Sequence, residues 1–212
     1  MKEQISDRRP ISARESPISQ RLARLLHDWG ISPNTISIVS ILFSICAAVC
    51  LFFTSEGGNP LLFWGAAIFI LLRLLANMVD GMVAIESGKT SRLGEIFNEV
   101  PDRISDVVIF IAAGYALNNS SEWLGYVAAI LALLVAYIRA LGNHMGVTKL
   151  FQGPMAKSHR MFVLAAVCLY YGTFSRVFPI PSLLYWTLVM IVLGSMVTFI
   201  RRLARIVSEV TA

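Results

Sequence analysis

Six apolar runs, at residues 38–53, 61–72, 107–117, 123–138, 161–171 and 183–200, decide what this chain can fold into. Each reaches or approaches the length that crosses a bilayer, and several become long enough once flanking polar residues join the helix. The runs predict an all-α integral membrane protein with six transmembrane helices. Composition agrees, since 56% of the 212 residues are hydrophobic and the mean hydropathy is +0.68, too apolar for an ordinary soluble domain.

Residues 1–31 read as a cytoplasmic lead that ends in an amphipathic juxtamembrane helix. In PISQRLARLLHDWG, Ile18, Leu22, Leu25, Leu26 and Trp29 share one helical face, Arg21, Arg24 and Asp28 face away, and Gly30 offers a stop. Such a helix is expected to lie in the cytoplasmic interface, with an ordinary surface helix on the bundle as the alternative. Pro33 with a capping Asn34 or Thr35 starts the first span. Residues 32–206 then form the membrane domain and 207–212 a cytoplasmic tail. The first thirty residues show no secretory signal pattern, so the first apolar run is expected to be kept. Cys46, Cys50 and Cys168 lie inside apolar runs at no metal-ligand spacing and read as small hydrophobes.

The net charge of +5 is unevenly spread. Arg8, Arg9, Arg14, Arg21 and Arg24 precede the first run, Lys89 and Arg92 follow the second, Lys149, Lys157 and Arg160 lie between the fourth and fifth, and Arg201, Arg202 and Arg205 close the sixth. The opposite loops hold only Arg176 as a cation. The positive-inside rule puts both termini in the cytoplasm, here beneath a bacterial inner membrane. The basic surface points to anionic headgroups or phosphorylated substrates, and no nucleic-acid module is visible.

Polar residues interrupt this apolar chain at two places. On the second predicted span Asn77, Asp80, Gly81 and Ala84 fall within about 100° of one another, with Arg73 on the same side. On the third, Gly94, Asn98, Asp102 and Asp106 recur every four residues, with Glu95 and Glu99 nearby. The short linker SGKTSR is expected to make these two helices antiparallel neighbours, so both stripes face one cytoplasmic half. Carboxylates at membrane depth are rarely idle. From spacing, three accounts stand: a hard-cation site for a phosphate, salt bridges of Asp80, Asp102 and Asp106 with Arg73, Arg103 and Arg139, or an ion path through a transporter.

At this point the sequence resembles the CDP-alcohol phosphotransferase (CDP-alcohol phosphatidyltransferase) family. Its signature D-x-x-D-G-x-x-A-R, about eight residues, then G-x-x-x-D-x-x-x-D is matched in spacing by Asn77, Asp80, Gly81, Ala84, Ile85, Gly94, Asn98 and Asp102. Three of the eight letters differ. SPN at 32–34, DRISD at 102–106, YIRALG at 137–142 and GPMAKSHR at 153–160 also look like the family, extending the similarity over residues 17–205.

The resemblance implies a six-helix homodimer whose cavity opens to the cytoplasm. It implies one or two Mg²⁺ or Mn²⁺ ions held by Asn77, Asp80, Asn98 and Asp102 against the diphosphate of a CDP-linked donor. Gly81, Ala84 and Gly94 become neighbours of the CDP group, and Asp102 the base for the acceptor hydroxyl. Asn77 and Asn98 offer carbonyl oxygen without negative charge, so the site holds one metal, or Glu99, Glu95 or Asp106 supplies charge. Ile85 replaces the signature arginine. The expected function is transfer of the phosphatidyl group of CDP-diacylglycerol to a small polar alcohol, with release of CMP in phospholipid biosynthesis. Arg139, Lys157 and Arg160 favour an anionic acceptor such as glycerol phosphate or inositol phosphate, while serine or another alcohol stays open. A non-catalytic relative that binds CDP-lipid and a small polytopic transporter are the alternatives.

Overall fold

The computed structural model describes residues 16–55, 58–86, 92–117, 121–147, 150–180 and 182–211, without the side chains of residues 85, 86, 92, 93, 95 and 98. These residues form seven helices and no strand: α1 (Pro17–Asp28), α2 (Pro33–Phe52), α3 (Pro60–Glu86), α4 (Arg92–Tyr115), α5 (Trp123–His144), α6 (Lys157–Thr173) and α7 (Leu183–Val210). Each of the six apolar runs occupies its own helix, α2 to α7. α7 continues through most of the stretch assigned to a tail.

Local chemistry sets the helix starts. Pro17 and Pro33 stand where a missing N–H does no harm. The cap of α2 is Ser32, not Asn34 or Thr35, because the Ser32 hydroxyl accepts the backbone N–H of Thr35 at 3.1 Å. Asn59 does the same for α3, its Oδ1 accepting from the Leu61 N–H at 3.0 Å.

Among the described residues, four helices are long and apolar enough to cross a membrane unaided: α2, α3 through Ala84, α5 and α7. α4 falls short because Glu99, Asp102, Arg103 and Asp106 crowd it, and α6 because it has 17 residues. The outer face of α2 shows how the four meet lipid. Ile38, Leu42, Ile45, Val49 and Phe52, at steps of three and four, are 45–56% exposed. The opposite face of α2 carries buried Ser37, Ser40, Ser44, Ala47, Ala48 and Leu51. Ser40 and Ser44 satisfy their hydroxyls on the carbonyls of Ser37 and Ser40, at 2.7 and 2.8 Å, so this face is small and self-contained.

That small face lets α2 pack against both α3 and α4, which touch each other only sparingly. The expected close neighbours are therefore held by a third helix, and their polar side chains, rather than their backbones, make the meeting. α6 lies along α3, α5 along α4, and α7 against α5 and α6. Where α4 crosses α5 the approach depends on glycine, since a Cβ on Gly125 would lie 2.5 Å from the Phe110 carbonyl oxygen. Around this crossing the core is built from small residues such as Ala112, Ala113, Ala116, Ala128 and Ala129, with Phe63 stacked on Tyr171 at 4.8 Å.

α1 is helical over Pro17–Asp28, and its apolar residues are split between two surroundings. Leu22 and Leu26 pack against Ala76, Val79 and Val83 of α3, while Ile18, Leu25 and Trp29 stay exposed.

The loop before α6 is pinned to α7. Gly153 sits at φ +121°, which side chains avoid, with Thr198 against it. The Met155 N–H donates to Thr198 Oγ1 at 3.1 Å, and Arg202 donates to the carbonyls of Gln152 and Val135 at 3.2 and 2.9 Å. These bonds fix where α6 begins, and its first residue is Lys157.

Candidate active site

The polar ends of α3, α4 and α6 converge on one buried cluster. Arg73 of α3 is fully buried, and its Nη2 donates to Asp106 Oδ1 at 2.7 Å, to Asp102 Oδ1 at 3.3 Å and to the Asp102 carbonyl at 3.2 Å. From α6, Arg160 reaches Asp106 Oδ2 at 3.2 Å and the Met155 carbonyl at 3.2 Å. Asp106 is thus bridged between two guanidinium groups, each nearly without solvent. A buried carboxylate is tolerated only with partners of this kind.

One turn earlier, Asp102 meets three donors. Arg73 and the Asn77 amide both donate to its Oδ1, and Lys157 donates to Oδ2. The same ammonium donates to Asn77 Oδ1 at 2.8 Å, which closes a triangle of Asn77, Asp102 and Lys157 across three helices. Pro101 precedes Asp102 inside α4 and, lacking an N–H, leaves the carbonyl of Phe97 without its helical donor. Asp80, 2% exposed, accepts a bond from Ser37 of α2 at 2.7 Å. Among the described residues, the two arginines of the cluster keep three buried nitrogens without a hydrogen-bond partner: Nε and Nη1 of Arg73, and Nε of Arg160.

The structure therefore brings together Asn77, Asp80, Asp102, Asp106, Lys157 and Arg160. Gly81, Ala84 and Gly94 lie on the same helix stretches, with Gly81 buried. Glu99 is set apart, more than half exposed and paired with Arg103, and Arg139 stacks over the Phe151 ring at 4.9 Å. The side chains of Asn98, Glu95 and Ile85 lie outside the described residues, as do Lys89 and Lys149. Of the salt bridges anticipated from spacing, those of Arg73 with Asp102 and Asp106 form, while Arg103 pairs with Glu99 instead. Sequence reasoning missed Ser37, although the serine stripe of α2 was there to be read. It also missed the inward turn of Lys157.

These residues, as arranged, do not fit a pair of divalent ions. Both oxygens of Asp102 and the carbonyl of Asn77 already hold the chain's own donors. Asp106, named as a source of spare charge, is shared by two arginines. Among the described residues no three His, Cys, Asp or Glu side chains are grouped to hold a metal.

Comparison with known proteins gives this geometry a setting. The model of the family described as CDP-alcohol phosphatidyltransferase matches residues 30–200. A phosphatidylinositol phosphate synthase from Streptomyces avermitilis is 28% identical over 188 residues, covering 85% of this chain and 74% of that protein. The fold matches a Mycobacterium tuberculosis phosphatidylinositol phosphate synthase with CDP-DAG bound, with a TM-score of 0.74, 22% identity, and 90% and 94% of the two chains covered. The same enzyme with manganese and citrate gives a TM-score of 0.72 at 22% identity, covering 89% and 88%.

Proposed function

The chain belongs to the CDP-alcohol phosphatidyltransferase family, and from that premise we propose that it transfers the phosphatidyl group of CDP-diacylglycerol to a small polar alcohol, releasing CMP. The observation that carries this reading is the triangle of Asn77, Asp102 and Lys157, with Arg73 behind it, in which Asn77 and Asp102 stand at the spacing of the family signature.

Cations and a carboxylate at one point suit a diphosphate attacked by a hydroxyl. Lys157 and Arg73 balance the phosphate charge, and Asp102 receives the proton. Asp102 Oδ2 is held by Lys157, so the ammonium has to turn away first, towards the diphosphate. Its side chain is 24% exposed and long enough to swing. The alcohol oxygen then bonds to the phosphorus next to the lipid, and the bond from that phosphorus to the CMP oxygen breaks. The electron pair leaves on CMP, and the alcohol proton ends on Asp102. No covalent intermediate is needed.

Gly81, Ala84 and Gly94 leave room for the CDP group. Arg139 and Lys157 meet the acceptor, while Arg160 steadies Asp106 behind them. Relatives named for making phosphatidylinositol phosphate support an anionic acceptor of the inositol phosphate kind. The family resemblance implies magnesium or manganese, and the mycobacterial relative holds manganese, but in this chain Lys157 fills the place between Asn77 and Asp102 where such an ion would sit. Six helices for six apolar runs support six spans, with α1 in the interface and the termini and site on the cytoplasmic side. A homodimer is the family's arrangement.

The test is CMP release by the purified chain from CDP-diacylglycerol, across glycerol phosphate, inositol phosphate, serine and inositol, with Mg²⁺, Mn²⁺ or a chelator. Release with a phosphorylated acceptor is the expected result. The full engagement of Asp102 favours a second reading, a non-catalytic relative that binds CDP-lipid. Lipid binding without CMP from any acceptor would establish it.

A further inference from the structure

Two of the four positions that the family resemblance assigns to a metal, Asn77 and Asp102, hold an ammonium in this chain. Lys157 Nζ lies between Asn77 Oδ1, at 2.8 Å, and Asp102 Oδ2. Asn77 is suited to that arrangement in a way aspartate is not. Its amide accepts from Lys157 through oxygen and donates to Asp102 through nitrogen, whereas a carboxylate has nothing to donate and would repel Asp102.

The charges of the cluster also balance without an ion. Asp80, Asp102 and Asp106 give −3, and Arg73, Lys157 and Arg160 give +3, so −3 + 3 = 0. Arg73 and Arg160 together keep three buried N–H-bearing nitrogens without partners, which is surplus donor capacity. Surplus donors suit a phosphate and oppose a second cation.

We propose that Lys157 is a tethered cation that takes the seat of a divalent ion between Asn77 and Asp102 and keeps that ion out. The substitution of asparagine at 77 then belongs with the lysine, as the neutral partner that lets an ammonium and a carboxylate share one seat. This rests on the reading of Asn77, Asp80, Asn98 and Asp102 as the cation-holding positions of the site.

Manganese binding to the purified full chain, followed by the loss of the free Mn²⁺ electron paramagnetic resonance signal, tests it without reference to turnover. The native chain is expected to bind no Mn²⁺ stoichiometrically at micromolar concentration. Lys157→Gln should gain a site, its affinity rising roughly tenfold or more, and Lys157→Gln with Asn77→Asp should bind tighter still. Lys157→Arg, which keeps the charge, should stay closed to Mn²⁺. Stoichiometric Mn²⁺ binding by the native chain would overturn the proposal, and that measurement needs no variant to fold. A Lys157→Gln chain that folds yet gains no affinity would overturn it too. A chain that releases no CMP but shows this binding pattern would lose the transferase reading and keep the tethered cation.

Discussion

α4 is held in two different ways along its length. Near Gly114, against Gly125 of α5, the packing is alanine and glycine, and shape alone brings the two backbones together. Around Arg73, Asp102 and Asp106 the backbones of α3 and α4 stay apart, and charged side chains span the distance. The first arrangement tolerates no added atom. The second tolerates no missing partner. A membrane bundle draws little on the hydrophobic effect between helices, so both devices are needed, and only the charged one leaves groups that chemistry can use.

Substitutions can break that contrast, and the largest effect belongs to Arg73→Ala. It removes the buried cation shared by Asp102 and Asp106, leaving Asp106 with Arg160 alone and Asp102 with Asn77 and Lys157. The expected loss is about 3–5 kcal/mol in thermal or denaturant unfolding of the detergent-solubilised protein, with CMP release gone. A loss no larger than a surface pair gives would erase the distinction between the two halves. Asp102→Asn comes next and separates chemistry from scaffold. CMP release should fall by roughly 100-fold or more, while CDP-diacylglycerol binding persists because Asp106 still holds Arg73. Normal turnover in that variant would remove Asp102 as the base.

On the other half, Gly125→Ala pushes a methyl group against the Phe110 carbonyl oxygen, and a destabilisation of about 1–3 kcal/mol is expected. Turnover per folded molecule should not change, and a shift in it would show the halves to be coupled. The smallest effect is assigned to Arg103→Ala. Its partner Glu99 is 53% exposed, so the pair is worth under about 1 kcal/mol, and the melting curve should barely move.

Helices were legible because their signal is local. Six apolar runs gave six helices, and Pro17, Pro33 and Gly30 mark boundaries where the sequence puts them. The stripe of Asn77, Asp80, Asp102 and Asp106 was legible for the same reason, since each half lies within a few turns of one helix. Partnership was not. Lys157 stands 80 residues from Asn77, and Ser37 stands 43 from Asp80. A lone lysine at the start of a helix looks the same whether it faces headgroups or turns inward. The split face of α1 was hidden too, because the wheel shows five apolar residues without saying that α3 claims only Leu22 and Leu26.

The zero-sum cluster has a consequence for how the chain is made. α4 and α6, the two helices short of crossing a membrane by themselves, are also the two that carry its carboxylates Asp102 and Asp106 and its cations Lys157 and Arg160. Synthesis runs from the N-terminus, so α4 leaves the ribosome while α6 does not yet exist. In that interval Arg73 is the only member of the cluster already made that can neutralise either aspartate. α3 therefore supplies, within one polypeptide, the first neutralising partner that α4 can meet.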